Sequence, residues 1–230
     1  MNVVILQSNY VPWKGYFDLI HDADTFVFYD CVKYTKNDWR NRNIIYTPNG
    51  KQWLTIPIAA DAVKLSIDQV DIQDSRWQEL HYRSLLIGYR KAPYFDQLHE
   101  LMVDYLTSKT WKSLSGLNQY LITTISRKMG CNTVFIDSRD LSLQGDRLDR
   151  LLGILQQLRA TRYISGKSAA TYLQEYEHMF HDRSIELVYK EYPNYRQYSQ
   201  FSEQFEHSVS ILDMIAHISW DDLPNYIWGA

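Results

Sequence analysis

Two hydrophobic periods alternate along the chain. Residues 3–7, 25–29, 133–136, 162–164 and 185–189 are short apolar runs rich in β-branched and aromatic side chains, the pattern of strands buried on both faces. Between and around them, apolar positions three and four apart predict helices over 14–23, 74–91, 95–106, 113–129, 144–158, 169–175 and 209–217. In 113–129 the stripe is Leu114, Leu117, Leu121, Ile122 and Ile125, and Gly130 follows as a natural C-cap. In 144–158, Leu148, Leu151, Leu152, Leu155 and Leu158 share one face, and Pro93 separates the second helix from the third. Strands alternating with helices predict an α/β fold: a mostly parallel, Rossmann-like sheet with helices on both faces, in one domain over 1–230. One region departs from this rhythm. Residues 43–46 and 52–58 flank Thr47-Pro48-Asn49-Gly50-Lys51, a hairpin signal, and 66–72 reads as a further strand, so roughly 43–72 is expected to be a β-rich insertion beside the sheet.

Ligands of such sheets sit beyond the C-terminal strand ends, which directs attention to the loops after Gln7, Tyr29, Ile136 and Ile164. In the first, Gln7 can donate and accept, Tyr10 and Trp13 offer aromatic faces, Pro12 sets the turn and Gly15 permits close approach at the helix start. The second carries Asp30, Tyr34, Lys36, Asp38, Trp39, Arg40, Asn41 and Arg42. Its arginines suit a phosphate or carboxylate, and Asp30 suits a hydroxyl or a proton, although a loop of mutually paired surface charges has the same composition. His81, one helical turn from Trp77 and from Leu85, is a candidate general base or a structural histidine. Ser165-Gly166-Lys167-Ser168 lacks the earlier glycine of a P-loop but can still hold an anion. Gln197 lies in a tyrosine-rich segment that could close over a ligand or pack on the core. His178 and His181 find no third ligand at metal spacing, so no metal site is assigned.

Composition narrows the partners. A formal net charge of -3 over 230 residues gives no general attraction to nucleic acid or to anionic membrane. Eighteen Tyr and seven Trp, each with a flat apolar face and a polar tip, suit sugars, bases and wet interfaces. Two cysteines make no disulfide framework, no run is long enough to span a membrane, and the N-terminus lacks a signal-peptide pattern, so a cytoplasmic location is expected. The expected ligand is small and polar or anionic; the sequence names no cofactor and no oligomeric state.

Gln7-x-x-Tyr10-x-Pro12-Trp13-x-Gly15-Tyr16-Phe17, Tyr29-Asp30, Asp38-Trp39-Arg40-Asn41-Arg42, Trp53-Leu54-Thr55-Ile56-Pro57, His81, Tyr89, Ala92-Pro93-Tyr94-Phe95, Tyr163-Ile164-Ser165-Gly166, Tyr172, Tyr195-x-Gln197 and Ser210-Ile211-Leu212-Asp213 occur in the order found in the WbqC-like family, which the chain resembles over nearly its whole length. The Asp-Trp-Arg-Asn-Arg block is the most specific of these. Cys31 stands where the family commonly has an acidic residue, and Met214-Ile215-Ala216-His217 departs from its usual Leu-Phe-Asn. The resemblance implies a place among genes for O-antigen and other surface polysaccharides, and with it a transferase moving an acyl or aminoacyl group to a nucleotide-linked amino sugar. A non-catalytic nucleotide-sugar binder or regulator, and a transferase dependent on aminoacyl-tRNA, are the alternatives. On the transferase reading His81 is the base, Asp30 orients it or the substrate, Arg40, Arg42 and Lys167 hold an anionic group, and Trp13 and Trp39 stack on a sugar or base. Gln7, Tyr10, Asn41, Ser165, Gly166 and Gln197 complete the expected binding set.

Overall fold

A computed structural model of the chain describes residues 1–201 and 204–228. Among these residues the strands are β1 (Asn2–Leu6), β2 (Thr25–Phe28), β3 (Arg42–Thr47), β4 (Gly50–Thr55), β5 (Val134–Asp137), β6 (Arg162–Gly166) and β7 (Glu186–Lys190). The longer helical segments are α1 (Lys14–His21), α2 (Arg76–Tyr89), α3 (Phe95–Met102), α4 (Leu114–Lys128) and α5 (Arg147–Gln157). Shorter ones follow: α6 (Ala170–Leu173), α7 (Glu177–His181), α8 (Ile211–His217) and α9 (Leu223–Ile227). Five strands make one all-parallel sheet in the order β5-β2-β1-β6-β7, and β3 and β4 form a separate antiparallel pair. This is the expected α/β architecture with its hairpin beside the sheet.

The near-continuous apolar runs of the central strands follow from burial on two sides. Val4, Phe26 and Phe28 point into one core, with Leu19 and Ile20 of α1, Leu117, Leu121 and Ile125 of α4, and Ile211 and Ile215 of α8. Val3, Ile5, Val27 and Tyr163 point into another, with Leu151, Leu152 and Leu155 of α5, Leu173 of α6 and Phe180 of α7. Helix ends are set locally. Ser113 caps α4 by accepting the N–H of Gly116, and Gly130, at φ +83°, ends it. Asp146 caps α5 by accepting the N–H groups of Leu148 and Asp149, while Asp149 returns a bond to the N–H of Asp146.

The hairpin turn lies one residue earlier than its Asn-Gly signal suggests. Thr47 pairs with Gly50, so Pro48 and Asn49 form the loop and Gly50 takes the left-handed φ of +97°. Residues 66–72 do not form a strand. Ile67–Gln69 is a short 3-10 turn whose neighbours make only isolated bridges, Lys33 to Ser66, Ile58 to Ile72 and Asp71 to Ser113. Ile67 and Val70 are buried three positions apart, a helical spacing, and no neighbour runs alongside long enough to build a ladder. The helix expected over 95–106 stops at Met102 and widens into a π turn, Val103–Thr107.

Candidate functional site

The sheet opens between β1 and β6. β1 pairs with β2 through Val3–Leu6 but with β6 only at Asn2 and Val3. Its neighbours on either side are reached by crossovers on opposite faces: α1 lies in one core and α5 in the other. The strand ends therefore diverge, and beyond them lies a cleft of about 1000 Å³ at the point where the strand order reverses. Leu6 and Gln7 line it from β1, Tyr163, Ser165 and Gly166 from β6. The chain leaving β2 contributes Tyr29, Cys31 and Lys33, and the start of α5 contributes Arg147 and Arg150.

Its wall combines aliphatic side chains such as Leu6, Leu148 and Leu151 with three cations, Lys33, Arg147 and Arg150, and with tyrosine rings. The Arg147 guanidinium lies over the Tyr172 ring at 4.0 Å. Arg150 donates from Nε to the Gly145 carbonyl at 3.0 Å, and Lys33 is exposed at the rim. Among the acids, Asp146 is committed to capping α5. Burial pushes the Tyr163 hydroxyl and the Cys31 thiol up, so both keep their protons at neutral pH and neither is an activated nucleophile. Sequence reasoning missed Arg147 and Arg150, whose one local signal is the cap Asp146 at the start of α5, and met Tyr172 only as one of the residues shared with the resembling family.

Gln7 is held from two sides. Tyr16 donates its hydroxyl to the Gln7 carbonyl at 2.9 Å, and Nη2 of Arg40 reaches Oε1 of Gln7 at 3.3 Å. Arg40 also donates to Asn9 and lies 3.5 Å from Asp38, and Asn118 of α4 donates to its carbonyl. Behind this loop Asp30 is fully buried. It accepts the Ser8 N–H at 2.8 Å, the Ser115 hydroxyl at 2.5 Å and the Gln119 amide at 3.2 Å, and Gln119 continues to Asp137 at 2.9 Å.

His81 sits elsewhere, on the face of α2 turned to the hairpin, 5% exposed. Its Nε2 donates to the Thr55 carbonyl at 3.2 Å, which leaves Nδ1 to accept the Tyr10 hydroxyl at 2.9 Å. Burial pushes its pKa down to about 4, so the ring is neutral at physiological pH. Of the two roles expected for Asp30, orienting His81 is ruled out by position: each spends its hydrogen-bonding atoms on different partners, Asp30 on the strand-end loop and α4, His81 on Tyr10 and the hairpin.

The remaining expected residues divide in the same way. Gln7, Ser165 and Gly166 line the cleft, and Lys167 is exposed on the turn that follows. Tyr10 is core, edge-on to Trp77. Trp13 packs over Gly15 and edge-on against Tyr192 and Tyr195, at 5.2 and 6.1 Å. Asn41 is buried, accepting from Tyr34 and donating to the Ile56 carbonyl, both at 2.8 Å. Arg42 donates to the Asn37 carbonyl, Trp39 is exposed, and Gln197 is exposed on an irregular segment. Among the described residues no helix is long and apolar enough to cross a membrane, and no group of three His, Cys, Asp or Glu side chains is placed to hold a metal ion.

A family model, that of the WbqC-like protein family, matches residues 7–224. The chain is similar to the uncharacterized protein Rv1507c of Mycobacterium tuberculosis, at 37% identity over 226 residues covering 98% of this chain and 96% of that one. No solved structure matches the chain significantly.

Proposed function

The chain belongs to the WbqC-like protein family, and we propose that its cleft binds a nucleotide-linked amino sugar for an acyl or aminoacyl transfer in O-antigen or related surface-polysaccharide biosynthesis. The observation that carries this reading is the set of Arg147 stacked on Tyr172, with Arg150 and Lys33, around the gap between β1 and β6. A nucleotide-linked sugar combines a flat base, a dianionic diphosphate and a ring of hydroxyls. The Tyr172–Arg147 pair suits the base, the cations suit the diphosphate, and Gln7, Ser165 and the Gly166 backbone suit the hydroxyls. A cleft of about 1000 Å³ is of the size such a ligand needs.

On this reading Asp30 and His81, expected to be catalytic, act at a distance: Asp30, with Arg40 from the expected anion-binding set, sets the loop that presents Gln7, and His81 fastens the hairpin. The acyl donor on this reading is a thioester or an ester, whose thiol or alcohol leaves as the sugar amine attacks the carbonyl carbon, and burial keeps Cys31 and Tyr163 protonated, so neither offers a covalent relay for the acyl group. That same feature favours a second reading, a nucleotide-sugar carrier without turnover.

Calorimetric titration with UDP-N-acetylglucosamine and a dTDP-linked amino sugar tests the site. Arg147→Ala and Arg150→Ala are each expected to weaken binding by about tenfold, the worth of one charge-assisted contact, whereas His81→Gln leaves affinity unchanged. No nucleotide sugar bound, or binding indifferent to both arginines, removes the reading. Binding without turnover of acyl-CoA or aminoacyl donors selects the carrier.

A further inference from the structure

The hairpin has two unlike faces. Residues paired across the ladder share a face, so Asn43 with Leu54 and Ile45 with Gln52 lie on one side, and Arg42 with Thr55, Ile44 with Trp53 and Tyr46 with Lys51 on the other. The first side is turned to α2: Leu54 and Ile45 are buried, and Gln52 donates to Ser84 at 3.0 Å. The second side carries Trp53, which remains 47% exposed and packs nearly parallel to Trp39, itself 44% exposed, with ring centroids 5.7 Å apart and planes at 23°.

Two indoles left half in water are costly unless something covers them. These two are also braced. The Arg42 guanidinium lies 4.5 Å from the Trp53 ring centre, and Arg42 is tied to the Asn37 carbonyl at 2.8 Å. The Trp39 carbonyl accepts the Tyr10 N–H at 3.0 Å, which anchors that residue to the loop after β1. The result is a stiff aromatic shelf longer than a single ring.

We propose that the Trp39–Trp53 shelf binds a pyranose ring of a glycan, the acceptor or the sugar end of the substrate handled by the cleft. It rests on the transferase reading only in assigning the ligand that part. Three features favour a sugar. The apolar face of a pyranose lies flat on an indole while its hydroxyls stay wet, which suits rings half exposed rather than enclosed. Two of the neighbouring cations are paired with carboxylates, Arg40 with Asp38 and Lys51 with Glu206, and Arg42 is laid against the Trp53 ring and the Asn37 carbonyl, so a phosphate backbone would meet a single guanidinium there and not a row of cations. The shelf is tied to the cleft wall through the chain, since Trp39 precedes Arg40, whose guanidinium reaches Gln7 at that wall.

The test uses the full chain and N,N′-diacetylchitobiose as probe, read by indole N–H signals in NMR and by tryptophan fluorescence. Saturable shifts confined to the indoles of Trp39 and Trp53 are expected. Trp53→Ala and Trp39→Ala should each weaken binding by about tenfold, with partial recovery in Trp53→Phe. UDP, which lacks the sugar, should bind both tryptophan variants as it binds the native chain, with the same dependence on Arg147. Absence of a saturable shift in the native chain, or shifts at Trp13 or Trp77 instead, overturns the proposal. So does tighter binding of a single-stranded oligonucleotide than of the saccharide at the same two indoles. Chitobiose binding without nucleotide-sugar binding leaves the shelf standing and removes the cleft reading; the reverse removes the shelf alone.

Discussion

Asp30 accepts the backbone N–H of Ser8 at 2.8 Å, joining the end of β2 to the loop that follows β1. Because Ser115 and Gln119 of α4 converge on its other oxygen, one carboxylate ties two strand ends to a helix on one face of the sheet. Asp30→Ala would leave two buried donors, the Ser8 N–H and the Ser115 hydroxyl, without an acceptor, while Gln119 keeps Asp137, at a cost of about 3 kcal/mol. Asp30→Asn keeps the shape and part of the bonding and should cost less. Urea denaturation measures both, and the Ala variant should also lose affinity in the cleft as the Gln7 loop relaxes. A stable Asp30→Ala chain with intact binding would deny Asp30 this role.

His81 makes stability depend on pH. In the unfolded chain its imidazole takes up a proton near pH 6.5, but in the folded protein only near 4. Between those values the unfolded state binds more protons, so the His81 contribution is present above pH 6.5 and is lost as pH falls toward 4. The full shift corresponds to about 3 kcal/mol. Native and His81→Gln chains compared by chemical denaturation from pH 7 to 5 should differ in slope, the variant being flatter. Equal slopes would contradict the buried neutral imidazole.

Lys14 is buried at the start of α1, beneath the segment that follows β7. Its Nζ lies 3.2 Å from Nδ1 of His207 and 5.1 to 5.9 Å from the ring centres of Phe205, Tyr195 and Tyr198. Asp213 favours its charge from farther off, with its own oxygens already taken by Tyr89, Tyr198 and Gln200. Burial outweighs these attractions and lowers the amine to about 8, below the unfolded value of 10.5. Folding therefore disfavours the ammonium at neutral pH, and the Lys14 contribution improves as pH rises from 8 toward 10.5. Lys14→Met should stabilise the protein at pH 7 by about 1 kcal/mol, once lost cation–π attraction is set against relieved desolvation. Thermal unfolding at pH 7 checks the sign; a lower Tm would mean that the rings and Asp213 win.

Gly15 lies under Trp13. A Cβ at Gly15 would stand 2.3 Å from the indole, so Gly15→Ala must push Trp13 away from Tyr192 and Tyr195. The clash should cost about 2 kcal/mol, more than the roughly 1 kcal/mol that alanine gains over glycine in a helix. Lowered Tm with a red-shifted tryptophan emission is the expected signature, and an unchanged spectrum would show that the indole does not rest there.

Much of the architecture was legible before the structure. Val3–Ile5 and Phe26–Phe28 could be read as doubly buried strands, and the leucines of α4 and α5 as single stripes, because side-chain direction alternates with a local period. Gln7, Ser165 and Gly166 could be placed at strand ends for the same reason. The hairpin was legible too, although its turn moved to Pro48 and Asn49 because pairing continued to Thr47 and Gly50. The reading of 66–72 as a strand failed because a strand exists only if a partner runs alongside it.

The sequence by itself determined the alternation of strands and helices, the C-cap at Gly130, and the loops where polar and aromatic residues gather. These depend on neighbours a few positions apart. Only the tertiary structure decided that β6 returns to the far side of β1 and separates from it after Val3, which opens the cleft and brings Arg147 and Tyr172 to its wall. It also decided that Asp30 and His81 serve different parts of the molecule. A carboxylate or an imidazole has the same composition in a catalytic pair as in a structural bond; its function is set by the groups that folding brings within about 3 Å of it, from residues as distant in sequence as Asp30 and Ser115.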